Sequence, residues 1–94
     1  MSYKILYHKN FLKDFKKVPF RHQENIKEIL RQILKNPATI TPNTKPLADK
    51  KHVFRTRIGN LRLVYYISHK DKLIKVLGIN TRGNIYKIIG KLLN

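Results

Sequence analysis

The 94-residue chain contains no cysteine. That absence removes disulfides, thiol nucleophiles and cysteine metal ligands together, and it fits a reducing compartment. Acid is scarce as well: 5 Asp and Glu stand against 21 Lys and Arg, a formal net charge of +16 at pH 7. A surface of that kind carries positive potential over most of its area and suits a polyanionic partner. It does not choose between nucleic acid, an anionic membrane and an acidic protein. No apolar run approaches the ~18 residues of a membrane-spanning helix, and the N-terminal MSYKILYHKN lacks the apolar core of a signal peptide. These absences predict a cytoplasmic protein with no membrane partner.

What is present suffices for one core. The 41% hydrophobic content argues for a globular fold, and the length predicts a single domain over residues 1–94 without internal repeats. Residues 3–7 (YKILY) read as a strand, and Asn10 as the N-cap of a helix carrying Phe11, Leu12 and Phe15 until Val18-Pro19 interrupts it. A longer helix runs from Phe20 or Arg21 to about Lys35. Its stripe is Ile26, Ile29, Leu30, Ile33 and Leu34, and Asn36-Pro37 ends it. Residues 37–46 hold three of the four prolines and read as an extended connection.

From His52 the period of the pattern changes from 3.6 to 2, predicting strands at 52–58, 61–67 and 73–79. Gly59-Asn60 suits a type II′ turn, residues 69–72 form a polar turn, and 80–86 a polar loop. In the tail, Ile85, Ile88, Ile89, Leu92 and Leu93 recur at helical spacing around Gly90. The expected architecture is α+β: a two-helix hairpin packed on a small antiparallel sheet, in the order β-α-α-β-β-β, with a short C-terminal helix.

The segment FRTRIGNLRLVYY, residues 54–66, holds three arginines. A turn at Gly59-Asn60 pairs Ile58 with Leu61, Arg57 with Arg62, Arg55 with Val64 and Phe54 with Tyr65. One face then carries Phe54, Thr56, Ile58, Leu61, Leu63 and Tyr65, which suits the helix pair. The other collects Val53, Arg55, Arg57, Arg62, Val64 and Tyr66. Like charges directly opposed cost up to roughly 1 kcal/mol unless an anion lies between them. No Asp or Glu occurs from residue 50 to 70, so an external anion is the expected partner. The planar guanidinium fork fits phosphate, although Lys outnumbers Arg in the chain as a whole. If Ile67 pairs with Leu73, Gly78 falls opposite Arg62, and Arg82 and Tyr86 come within reach of the Arg57/Arg62 pair.

The string F-R-T-R-I-G-N-L-R-L-V-Y-Y-I resembles the RelE/ParE superfamily of bacterial and archaeal toxins from toxin-antitoxin operons. An arginine about twenty residues later, the pair I-Y, FLKDFKKVP in the first helix, ILKNP at the end of the second and KPL before the sheet extend the likeness over nearly the whole chain. For the RelE branch the resemblance implies an endoribonuclease that cuts mRNA in the ribosomal A site without metal or cofactor, by attack of a 2′-hydroxyl on the adjacent phosphodiester. By motif position it implies catalytic roles for Arg57, Arg62, Arg82 and Tyr86. Arg55, with Lys50 and Lys51, would hold the RNA backbone. It also implies an acidic antitoxin as partner. Well-studied mRNA-cleaving relatives carry lysines where Arg55 and Arg57 stand, and Thr81 stands where histidine is common, so the general base is not assigned by the likeness. His52 and His69 are the nearest imidazoles. The competing expectations are a ParE-like inhibitor of DNA gyrase and a non-catalytic nucleic-acid-binding relative.

Overall fold

Alternating polarity on either side of Gly59-Asn60 makes a hairpin, and the rest of the chain assembles around it. The computed structural model describes residues 2–38, 43–47 and 50–92. In chain order the elements are β1 (Lys4–Tyr7), α1 (Lys9–Phe15), α2 (Phe20–Lys35), β2 (Thr44–Pro46), β3 (Val53–Ile58), β4 (Leu61–Ser68), β5 (Leu73–Thr81) and α3 (Arg82–Leu92). The sheet order is β1-β5-β4-β3-β2. The α+β architecture holds, with one change of direction: β1 pairs with β5 in parallel, Lys4 opposite Leu73, while the other pairings are antiparallel. Periodicity encodes which face a side chain takes, not the direction of a strand's neighbour, so the sequence pattern is silent on this point.

The hairpin register matches expectation, with Arg57 opposite Arg62 and Ile58 opposite Leu61. Gly59 has φ 57 and Asn60 does not share the positive value, as a type II′ turn requires. Between β4 and β5 the register differs. Ile67 pairs with Ile74, and a bulge at Leu77 shifts the ladder once more, so Gly78 lies opposite Val64 and Asn80 opposite Arg62. Each one-residue slip flips the faces, and two slips restore them. Gly78 therefore lies on the arginine face as expected, but two residues from the place expected.

Two further differences are local. The cap of α1 is His8, whose Nδ1 accepts from the backbone N–H of Asn10, rather than Asn10 itself. The proline-rich connection ends in β2, which pairs with β3 through Thr44 and Thr56. Pro46 is tolerated there because an edge strand leaves one side of its backbone unpaired. Residues 39–42 of that connection and Leu93 of the tail lie outside the described residues.

The sheet has apolar material on both faces. On one, Phe11, Val18, Ile26, Leu30 and Ile33 from α1, α2 and their connection pack on Ile58, Leu63, Tyr65, Ile67, Ile74, Val76 and Ile79. On the other, α3 seats Ile85 and Ile89 against Val53, Val64 and Leu77. A β-carbon on Gly78 would stand 3.1 Å from Ile85 Cδ1, so the glycine sets how closely α3 approaches. An isolated helix of 11 residues interrupted by Gly90 is marginal in water. Its two buried isoleucines, worth roughly 1.5–3 kcal/mol each, hold it on the sheet.

Candidate active site

The type II′ turn puts Arg57 and Arg62 directly across from one another, and Arg55 shares their face two residues back along β3. Arg62 is only 9% exposed. Its Nη1 donates to the carbonyls of Leu61, at 3.0 Å, and Gly59, at 3.4 Å, which folds the guanidinium back over the turn. Arg57 remains exposed. Gly59 is required here for two reasons: its φ is positive, and a β-carbon would meet His22 Cε1 of α2 at 3.2 Å.

The residues anticipated as a loop at 80–86 are instead the end of β5 and the first turn of α3. Arg82 opens that helix and Tyr86 follows at i+4, on the same side one turn later. Burial pushes the Arg62 guanidinium below its ordinary value, and the charges of Arg57, Arg55 and Arg82 press in the same direction, while Tyr86 acts in the opposite sense. Five of the seven anticipated side chains thus form one electrostatic group. Among the described residues, ion pairs join Glu24 to Lys27 and Glu28 to Arg31 on the exposed side of α2, and neither touches this group. Clustered like charges of this kind favour a bound anion, and fixed guanidinium forks are suited to a phosphoryl group whose charge grows during in-line attack.

Lys50 and Lys51 are not brought into the cluster. They precede β3 at its far end, and Val53 to Arg57 alone spans roughly 13 Å. His52 and His69 are at that far end too. His52 has φ 62 and sits edge-on to Tyr66, and His69 Nδ1 is bonded to the hydroxyl of Tyr3 at 2.6 Å. Neither imidazole is placed to act on a phosphate held by Arg57 and Arg62.

Three residues around the turn and the end of β5 carry no signal in the sequence. His22 lies beneath the turn, with Nδ1 buried and without a hydrogen-bond partner. Asn80 is the cross-strand partner of Arg62, and its Nδ2 donates to Asp14 Oδ2 at 3.1 Å across 66 positions of sequence. Asn80 becomes identifiable only once the bulge at Leu77 is known. Asp14 and His22 are placed by the packing of α1 and α2, which no local pattern reports.

A profile of the family described as ParE toxin of type II toxin-antitoxin system, parDE, matches residues 5–86. A protein of Methanocaldococcus jannaschii that bears the name toxin RelE1 is 31% identical over 88 residues, 93% of this chain and 98% of its own. Among solved structures, a chain of the archaeal RelE–RelB complex from Pyrococcus horikoshii superposes with a TM-score of 0.72 at 27% identity, covering 88% of this chain and 98% of that one. A double arginine-to-alanine mutant of the E. coli toxin RelE, in its free state, matches over 100% of both chains with a TM-score of 0.81 at 20% identity, a likeness of fold.

Proposed function

The chain belongs to the ParE toxin family of type II toxin-antitoxin systems, and from that premise we propose that it arrests growth by cutting mRNA on the ribosome. The observation that carries this reading is the group of Arg57, Arg62, Arg55, Arg82 and Tyr86 on one sheet face.

In the reaction, the 2′-hydroxyl gives up its proton as its oxygen bonds to the adjacent phosphorus, and the bond to the 5′-oxygen of the next nucleotide breaks as that oxygen takes up a proton. The products are a 2′,3′-cyclic phosphate and a 5′-hydroxyl. Negative charge accumulates on the nonbridging oxygens midway, so Arg62, held by the turn carbonyls, and Arg57, opposite it, stabilise that state more than the ground state. Arg82 closes the cluster from α3. Arg55 holds the flanking backbone, and Lys50 and Lys51 act as outlying contacts to an extended strand. Tyr86, 42% exposed, offers a ring on which a base stacks and supplies the one hydroxyl of the group.

The name of the matching family favours a second reading, in which the same fold poisons DNA gyrase and cleaves nothing. Mapping mRNA ends in a translating extract separates the two. Cleavage by the wild type and a loss of about 10²–10³-fold in Arg62→Ala are expected, by analogy with removal of one transition-state donor. Intact mRNA together with gyrase trapped on DNA would establish the second reading instead.

The +16 charge also calls for an acidic antitoxin. The groove lined by Ile5, Tyr7, Leu30 and Leu34, edged by Lys27 and Arg31, suits an amphipathic acidic helix.

A further inference from the structure

β5 and α3 meet without a connecting loop: Thr81 is the last residue of the strand and Arg82 the first of the helix. The angle taken at this joint decides how the Arg82 guanidinium meets the charge of Arg62. Ile85 and Ile89 seat the body of α3 on the sheet, but the first turn has no acidic residue to hold its free N–H groups. Among the described residues, side-chain bonds at the joint converge instead on Asn80, the cross-strand partner of Arg62. Its Oδ1 accepts from the backbone N–H of Thr81 at 2.8 Å and from Asn84 Nδ2 at 3.5 Å, and its Nδ2 donates to Asp14 Oδ2 at 3.1 Å.

Asp14 is out of place by the rules of helix stability. It stands in the last turn of α1, where the helix dipole disfavours a carboxylate. Among the described residues, the other acidic side chains bond within their own neighbourhood: Glu24 to Lys27, Glu28 to Arg31, and Asp71 to Ser68. The bond between Asp14 and Asn80 spans 66 positions and ties α1, on the closed face of the sheet, to the strand end that leads into Arg82. A carboxylate only accepts and a backbone N–H only donates, so Asp14 and Thr81 together determine which way the Asn80 amide points. Without the carboxylate the amide turns about its broad χ2 torsion, Oδ1 leaves Thr81 and Asn84, and the joint loosens.

Resting on the reading that the arginine cluster cuts RNA, we infer that Asp14 is a positioning residue for Arg82. It acts through Asn80 rather than on the RNA: the carboxylate holds the amide, the amide holds the joint, and the joint aims a guanidinium carried by the first residue of α3. A misplacement of about 1 Å at a reacting centre costs about 10²-fold in rate, so a loosened joint lowers turnover while the sheet and its other arginines stay intact. An anchor of this kind accounts for a carboxylate at the unfavourable end of a helix, since local conflict with folding rules accompanies function.

The test follows single-turnover cleavage of mRNA on ribosomes, reading both the rate at saturating toxin and the toxin concentration that gives half of it. Asp14→Leu, of similar size but without an acceptor, is expected to lower the saturating rate about tenfold or more and to move the half-saturating concentration by no more than about twofold. Asp14→Asn keeps an acceptor for Asn80 Nδ2 and should restore the rate to near that of the wild type. In an Arg82→Ala background, Asp14→Leu should add no further loss, because both changes remove the same contribution. Losses that multiply in the double variant, or an Asp14→Asn protein as slow as Asp14→Leu, would overturn the inference. Asn80→Ala cuts the same link from the strand side and carries the double-variant comparison should Asp14→Leu fail to fold. A wild type that cuts nothing would remove the nuclease and leave the anchor to amide hydrogen exchange. Exchange from Thr81 to Asn84 should quicken in Asp14→Leu but not in Asp14→Asn, and equal exchange in all three proteins would remove the anchor.

Discussion

The two faces of one sheet are built to opposite rules. The face under α1 and α2 is closed by large aliphatic and aromatic side chains, from Ile26 and Leu30 to Leu63, Val76 and Ile79. The face under α3 buries a smaller apolar group and also carries arginines whose like charges act on Arg62. The first face stabilises the fold, whereas the second spends part of that stability on a charge arrangement that has no structural benefit. Such local conflict with folding rules is where function concentrates.

The contrast is broken most forcefully from the core side. Ile26→Ala, at a position with no exposure, should cost about 2–5 kcal/mol in urea unfolding, enough to threaten a domain of this size. On the other face, Ile89→Ala should cost toward the lower end of that range, about 2 kcal/mol, because α3 can detach without opening the main core. Hydrogen exchange should then quicken in α3 alone, and RNA cleavage should fall with it, since Arg82 and Tyr86 ride on that helix. Uniform acceleration across the sheet would contradict the separation of the two faces.

Alkaline pH provides a milder probe. Burial raises the Tyr65 phenol above its ordinary value, with hydrogen bonding to Thr56 and Thr44 in partial opposition. The unfolded phenol ionises first, so this contribution is fully present below about pH 10 and is lost as pH rises beyond it. Melting temperatures of the wild type should fall more steeply above that point than those of Tyr65→Phe. Parallel curves would show that Tyr65 does not carry the effect.

The smallest effect has the most informative sign. Arg57→Gln should leave stability unchanged or raise it by up to about 1 kcal/mol, because a directly opposed like-charge pair is removed. Cleavage should nevertheless drop. A variant that was both less stable and less active would mean that Arg57 holds the fold, and the comparison between the faces would lose its basis.

Much of this was readable from the chain. Gly59-Asn60 determines the turn, the turn determines the register, and alternation then determines that Arg55, Arg57 and Arg62 share a face opposite Phe54, Leu63 and Tyr65. The helix over 20–35 follows from its stripe, and it ends where Asn36, at φ −144, meets Pro37. These features are local: each depends on residues a few positions apart, whose geometry sterics and hydrogen bonding restrict to a small set. Tertiary structure decided the rest. The parallel seat of β1, the edge strand at Thr44–Pro46, the bulge at Leu77 that brings Asn80 to Arg62, and the approach of Asp14 and His22 all join segments far apart in sequence. Such contacts are set by how two cores fill their space on either side of the sheet, a collective requirement that no short window of sequence contains.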